Sequence, residues 1–373
     1  MKPIYLDYNA STPVAPAVVQ AMTAALEVGH GNPSSTHWAG SPARRLLEES
    51  RQRIAALLGC GASEIVFTSG GSESNNLAIK GIYFARREGP AHIITSAAEH
   101  PSVLEPCRFL ERLGAEITRL PVDGTGTVNP ADLRRAIRTD TRLVSIMHAN
   151  NEVGTIQPIA DCAAIAREHG IPFHTDAAQS VGKIPVRVDE LGVDLLTLAG
   201  HKLYAPKGVG ALYIRNGLPI EPLIHGAGHE GGRRAGTESA LLAAALGAAC
   251  DLATDLAWAT RARELRDRLH QGLRERYGDR LRLNGHESER LPNTLNVSFI
   301  GEIGATIVAA LEGLAASSGS ACHSGRTEMS PVLRAMGTPE AVGLGAVRFS
   351  LGRETTPAEI EEAIARIGSA LVR

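Results

Sequence analysis

Asp176 closes one apolar, strand-like run and Lys202 follows the end of another, within FHTDAAQSVGKIPVRVDELGVDLLTLAGHKLYAPK (173–207). A lysine at the end of a buried strand can form a Schiff base. A carboxylate at the end of a neighbouring strand can pair with a protonated pyridine nitrogen, and together they make the electron-sink arrangement of pyridoxal 5'-phosphate (PLP) chemistry. The plain alternative is a surface lysine and a helix-capping aspartate. A third element is FTSGGSESNN (67–76), a strand, a Gly/Ser turn and a helix start. Free backbone N–H groups and the helix dipole there would cradle an anion, although an ordinary turn capped by Ser72 fits the same residues.

Cysteines are the other reactive groups. Cys322 lies in SSGSACHSGRTEMS (317–330), a polar Gly/Ser stretch that would let a thiol move, whereas Cys60, Cys107, Cys162 and Cys250 sit in or beside helical, apolar sequence. Cysteine in such surroundings usually acts as a small buried hydrophobe. His323 adjoins Cys322, but adjacent residues need not face one another, and it is assigned no catalytic role. Five cysteines without a C-x-x-C pair suggest neither a disulfide framework nor a zinc site, so no metal is expected. The chain has no G-x-x-x-x-G-K-[ST], G-x-G-x-x-G after a strand, G-x-S-x-G or H-E-x-x-H, which removes the usual support for nucleotide, dinucleotide, serine-hydrolase and zinc-peptidase chemistry.

The elements that must carry these groups alternate. Strand-like runs at Glu64 to Thr68, His92 to Ser96, Glu116 to Leu120, Leu143 to Met147, Ile171 to His174, Leu195 to Ala199 and Val209 to Ile214 are separated by helical patterns, among them Gly70 to Ala85, Ser102 to Leu113, Pro130 to Ile137 and Ile159 to His169. This predicts an α/β fold with a doubly wound, mostly parallel sheet, whose ligands bind beyond the carboxyl ends of the strands. After Gly226 to Gly236 come an Ala/Leu-rich helix (Ser239 to Trp258) and a charged helix (Arg261 to Tyr277). Runs at Thr294 to Phe299, Gly304 to Leu314, Ala346 to Ser350 and Pro357 to Leu371 then predict a second, smaller α+β domain. The expected division is a large domain over 15–257 and a small one from 1–14 and 258–373.

With 373 residues the chain exceeds the roughly 250 to 300 at which one core stops growing. The 38 basic and 40 acidic residues nearly cancel, which excludes an electrostatic footprint for nucleic acid or an anionic membrane. No stretch approaches the roughly 20 apolar residues of a membrane span, and a cytoplasmic location is expected.

Ten segments occur in an order that resembles the cysteine desulfurases: YLDYNASTPV, GNPSSTH, FTSGGSESNNLAIKG, the EH at Glu99 and His100, MHANNEVGTIQPI, FHTDAAQSVGK, GHKLYAPKGVGALY, GHEGGRRAGTES, SSGSACHSG and VRFSLGR. These are PLP enzymes of the class V aminotransferase superfamily, with an aspartate aminotransferase-like fold. The resemblance implies that Lys202 carries the cofactor and that Asp176 pairs with its ring nitrogen. It implies that His100 stacks on the ring and serves as an acid/base, that Gln179 and Asn151 bond the ring oxygen and the substrate side, and that Gly71, Ser72 and His201 form the phosphate cup. Thr237 resembles the residue given by a neighbouring subunit, which implies a homodimer with shared sites. Arg348 resembles the bidentate clamp on the substrate carboxylate, a role suited to a planar guanidinium. One position departs: relatives usually have serine three residues before the lysine, and this chain has Ala199, so one phosphate ligand is missing.

The same resemblance implies that L-cysteine becomes L-alanine, with the sulfur left as a persulfide on Cys322 and passed to an acceptor protein. The spacing after Cys322 is similar to the branch with a long mobile cysteine loop. A selenocysteine lyase or other class V PLP lyase is the alternative. Because the sequence stops at Arg373, just after its last helix, docking of an iron-sulfur scaffold on a longer tail is not expected, and the acceptor stays open.

Overall fold

The computed structural model describes residues 2–85, 89, 91–318, 321–323 and 326–371, the side chains of 321–327 excepted. A short strand β1 (Ile4–Tyr5) and helices α1 (Pro16–Val28) and α2 (Gly40–Leu58) lead into an alternating unit: β2 (Ile65–Thr68), α3 (Gly71–Ala85), β3 (His92–Ser96), α4 (Pro101–Glu111), β4 (Glu116–Leu120), α5 (Pro130–Ala136), β5 (Thr141–Ser145), α6 (Ile159–Glu168), β6 (Phe173–Asp176), α7 (Val188–Leu191), β7 (Leu195–Ala199) and β8 (Gly210–Ile214). Seven of these strands form one sheet in the order β2-β8-β7-β6-β5-β3-β4. It is parallel except at β8, which runs against both β2 and β7.

The five strands β3, β5, β6, β7 and β8 are buried along their whole length, as expected of strands covered on both faces by helices. One face packs against α1, α2, α6 and the Ala/Leu-rich helix α8 (Ala240–Ala253), and the other against α3 and α4 through Leu77, Ile82, Val103 and Leu110. Helix α8 ends at Ala253 rather than running to Trp258. Asp255 takes the Ala257 N–H at 2.9 Å, and Trp258 falls within the next helix, α9 (Ala257–Tyr277), its indole N–H reaching Gly182 O. Among the described residues no single helix is long and apolar enough to cross a membrane.

A four-stranded antiparallel sheet follows, in the order β12-β15-β10-β9. Its members are β9 (Leu281–Asn284), β10 (Thr294–Phe299), β12 (Ser317–Ser318) and β15 (Ala346–Ser350). Between them lie α10 (Gly304–Ala310), β11 (Leu314–Ala315), which pairs with β1, the two-stranded ribbon β13 (Ala321–His323) and β14 (Arg326–Glu328), α11 (Pro331–Ala335) and α12 (Glu340–Gly343). The period-2 alternation of strands splits this sheet sharply. Leu295, Val297, Phe299, Val347 and Phe349 pack on α9 and α13 (Pro357–Leu371). Thr294, Asn296 and Arg348 occupy the alternate positions and bond to residues of the large sheet and the N-terminal segment. The polar face therefore meets the carboxyl ends of the large sheet, where the chemistry was sought.

Candidate active site

Each strand end delivers one group. Strand β6 ends on Asp176, whose Oδ1 accepts from Ala178 N at 2.9 Å and whose Oδ2 accepts from Asn75 Nδ2 at 2.7 Å. Strand β7 ends on Ala199, and one tight turn over Gly200–Lys202 sets His201 and Lys202 beyond it. That turn is clasped from the N-terminal segment: Thr12 donates its N–H and its hydroxyl to His201 O, both at 3.0 Å, and accepts from Tyr204 N at 2.8 Å. Tyr204 adopts φ +66° there, an uncommon conformation for a non-glycine residue. After β2 the chain turns at Gly70 into α3. Gly210 in β8 lies so close that a Cβ on it would meet Gly70 Cα at 2.7 Å, so only glycine fits. After β3, His100 caps α4 by accepting from Ser102 N.

These ends surround a cleft of about 430 Å³. Gly71, Ser72, His100, Asp176, His201 and Lys202 line it from the large sheet, with Asn151 and Gln179 on the next loops and Arg348 from β15. Thr237 is not among its lining residues. It is exposed on a separate groove beside Arg234 and Glu238. The Cys322 side chain lies outside the described residues. Its backbone pairs with Thr327 in the ribbon, where the sequence suggested irregular loop.

The electrostatics follow from burial and a crowd of cations. Burial lowers the Lys202 ammonium to about 8, helped by Arg348 and opposed by Asp7 and Asp176. Its Nζ donates to the carbonyls of Asn9 and Ala10. Burial also lowers His201 to about 4, with Lys202 adding to the effect. The ring of His100 opens into the cleft, yet the surrounding protein desolvates it and lowers its pKa, with Asp176 opposing and Lys202 assisting. Beneath this layer Glu99 is enclosed. Its Oε1 accepts from Ser96 Oγ and Met147 N, its Oε2 has no hydrogen-bond partner, and burial pushes it up to about 8, so it is protonated at neutral pH.

Arg348 is already engaged. Its Nη1 donates to Asn151 O at 2.9 Å, and its Nη2 donates to Asp7 Oδ1 at 2.8 Å and Ser317 Oγ at 3.1 Å. Four further residues build the site without having drawn notice as single residues. Asn9 accepts on its carbonyl from Lys202 and Gln179, on its Oδ1 from Lys183 and Asn293, and donates to Thr294 and Asn151. Lys183, buried without a carboxylate, also donates to Gln179 Oε1 at 2.7 Å. Asn75 and Ser102 link Asp176 to His100.

A model of the aminotransferase class-V family matches residues 4–362. A cysteine desulfurase IscS of Dictyoglomus turgidum is 51% identical over 96% of this chain and 91% of that protein. The chain belongs to the aminotransferase class-V family, among its cysteine desulfurases. An IscS desulfurase of Klebsiella pneumoniae is 45% identical over all of this chain and 93% of its own length. Two solved desulfurase-fold structures are similar throughout. A NifS-like protein has TM-score 0.93 and 36% identity, covering 99% of both chains. SspA, solved in complex with cysteine, has TM-score 0.85 and 40% identity over 95% of this chain and all of that one. This desulfurase therefore has the PLP-enzyme fold that the motif resemblance implies, built on the mostly parallel sheet that its alternating sequence predicts.

Proposed function

We propose that this enzyme removes sulfur from L-cysteine with PLP as cofactor, releases L-alanine, and holds the sulfur as a persulfide on Cys322 for a partner protein. The observation that carries the reading is the convergence of Lys202, Asp176, His100 and Arg348 on one cleft of a desulfurase-family chain. The donor set suits the cofactor. Asp176 is an acceptor-only carboxylate with each oxygen already anchored once, leaving lone pairs to hold a protonated ring nitrogen. The first-turn N–H groups of α3 have no intrahelical acceptors, and with Ser72 and His201 they would hold a phosphate. At Ala199 a methyl replaces a hydroxyl, and a Cβ on Gly71 would lie 3.2 Å from it, so the two small residues keep that wall shallow. When bound, PLP supplies the electron sink for negative charge at the substrate's Cα.

Lys202, with its ammonium lowered to about 8, holds roughly a tenth of its population as free amine at neutral pH, far more than an ordinary lysine does, and can take and return a proton at Nζ. Arg348 would take the substrate carboxylate by exchanging one of its present acceptors, Asp7 or Asn151 O, for it. Gln179 has its amide orientation fixed from both ends: Lys183 donates to its oxygen, and its nitrogen donates to Asn9 O and keeps one N–H for the cleft. A thiol is the remaining need, and Cys60, Cys107 and Cys162 are pushed to about 12 by burial while Cys250 is raised as well, which supports Cys322 as the nucleophile. The exposed position of Thr237, away from its own chain's cleft, supports a homodimer in which it serves the second copy's site. The buried free cysteines support a reducing, cytoplasmic setting.

The test is a limiting-cysteine reaction on the holoenzyme, read by alanine release and by peptide mass. One extra sulfur should appear on the Cys322 peptide, and Cys322→Ala should form no alanine. Sulfur on another cysteine, or normal turnover of the variant, rejects the assignment.

A further inference from the structure

Nδ1 of His100 receives two hydrogen bonds whose directions chemistry fixes. Ser102 N lies 3.1 Å from it, and a backbone N–H only donates. Ser102 Oγ lies 2.7 Å from it, and because a nitrogen that accepts from the backbone carries no proton, the hydroxyl is the donor in that bond. Asn75 Nδ2 sits 2.7 Å from Asp176 Oδ2 and 2.8 Å from Ser102 Oγ. A carboxylate accepts only, so the Asn75 amide must turn its NH₂ toward Asp176, and its second hydrogen falls on the Ser102 oxygen. The amide's other end, Oδ1, has no partner that would favour the opposite orientation. Asn75 thereby anchors the Ser102 oxygen through one lone pair while the Ser102 hydrogen goes to the unprotonated Nδ1 of His100. A ring nitrogen that accepts two hydrogen bonds carries no proton, so the proton of neutral His100 is on Nε2.

We propose that Asn75 and Ser102 are positioning residues that lock His100 as the Nε2–H tautomer, so that it serves the reaction as a neutral hydrogen-bond donor and not as a base. This rests on the desulfurase reading for what the reaction is, but the tautomer follows from the contacts alone. The relay joins three elements, α3, α4 and β6, so the Asp176 carboxylate orients a group on a different strand end. The charged groups that act on His100 are Asp176, which favours its protonation, and Lys202, which opposes it; desolvation sides with Lys202. A neutral imidazole donor stabilises negative charge that develops beside it without itself needing to be protonated. Proton transfer at the substrate is left to Lys202.

The experiment is nitrogen-15 NMR of histidine-labelled PLP holoenzyme, with the His100 signals among the 13 histidines identified by their loss in His100→Gln. Wild type should show Nδ1 as an unprotonated nitrogen and Nε2 as a protonated one, with no titration of the ring near the ordinary histidine value of about 6.5. Ser102→Ala leaves the backbone N–H on Nδ1, so it and Asn75→Ala should keep the Nε2–H form but move the Nδ1 resonance and shift the titration upward, because a weakened donor set on Nδ1 stabilises the neutral ring less. Ser102→Ala should slow alanine formation about tenfold with little change in KM, the effect of one lost hydrogen bond, and Ser102→Thr should restore both rate and spectrum. A wild-type ring protonated on Nδ1, or spectra unchanged in both alanine variants, overturns the proposal. If wild type forms no alanine from cysteine, the desulfurase reading falls while the tautomer measurement still decides this one.

Discussion

Competition for an electrophile between Cys322 and the four other cysteines turns on how far burial suppresses the thiolates of those four. Burial raises Cys60, Cys107 and Cys162 to about 12 and raises Cys250 as well, whereas an unperturbed thiol titrates near 8.5. At about 12 against 8.5, Cys60, Cys107 and Cys162 carry roughly three-thousandfold less thiolate near neutral pH than a free cysteine, and thiolate is the reactive form. Cys107, Cys162 and Cys250 are also enclosed, so a reagent must wait for local opening. Native holoenzyme treated with limiting iodoacetamide, quenched over time and digested, should show modification of the Cys322 peptide while the other four stay unmodified. After denaturation all five should react. Prior incubation with L-cysteine should move the alkyl group to the outer sulfur of a Cys322 persulfide, giving an adduct whose S–S bond dithiothreitol cleaves. Labelling of Cys107, Cys162 or Cys250 in the folded enzyme at a free-thiol rate would refute the reasoning, because it would mean that burial does not suppress those thiolates.

Three further outcomes are expected. Capture of PLP by the apoenzyme requires the free amine of Lys202, so its rate should rise with pH to a plateau above about 8; a rise continuing past pH 10, the range of an ordinary lysine, would contradict the lowered ammonium. Glu99 is protonated in the fold and ionised when unfolded between about 4.5 and 8, so its contribution to stability is present below that window and lost as pH rises through it; denaturant titrations should show Glu99→Gln gaining on wild type from pH 5 to 9, and parallel curves would exclude a neutral Glu99. Glu230 accepts from both Arg51 nitrogens and from Phe67 N while itself almost fully enclosed, so Glu230→Ala should cost about 3 kcal/mol by denaturant midpoint, and replacing both Arg51 and Glu230 with methionine should recover part of it. A double variant no better than the single one would show that the uncompensated charge is not the cause.

The strand–helix alternation was legible because buried parallel strands and half-buried helices write different periods. His92 to Ser96, Leu195 to Ala199 and Ala346 to Ser350 coincide with β3, β7 and β15 to the residue. Boundaries moved where a local cap overrode the pattern, as at Asp255, which ends the apolar run of α8 before Trp258. The antiparallel β8 was not legible, since a strand buried on both faces has no signature of direction. The residues proposed to hold cofactor and substrate were picked out by type and motif. Asn9, Asn75 and Lys183 each sat in a quoted motif, and Ser102 began a helical pattern, yet none received a role, because a role that consists of orienting another side chain is a property of three-dimensional contact. Lys183 is the sharpest case: a lysine four residues after Gln179 reads as a solvated helix face, and only its burial beside two side-chain amide oxygens shows otherwise.

Asn9 also belongs to a seam. It ties the cofactor lysine's turn and the Gln179 loop to Thr294, Asn293 and, through its backbone, Ser350 of the small sheet. Arg348 to Asn151 O, Asn296 to Glu152 O and Ser330 to the Glu152 carboxylate fasten the same region to the loop after β5, so the small sheet is stitched along a line and not at one point. A stitched line resists both tilt and sliding, because either motion must stretch several hydrogen bonds at once. The carboxylate clamp and the reacting amine are therefore held at a set separation, and the width of the cleft is a property of the seam as a whole.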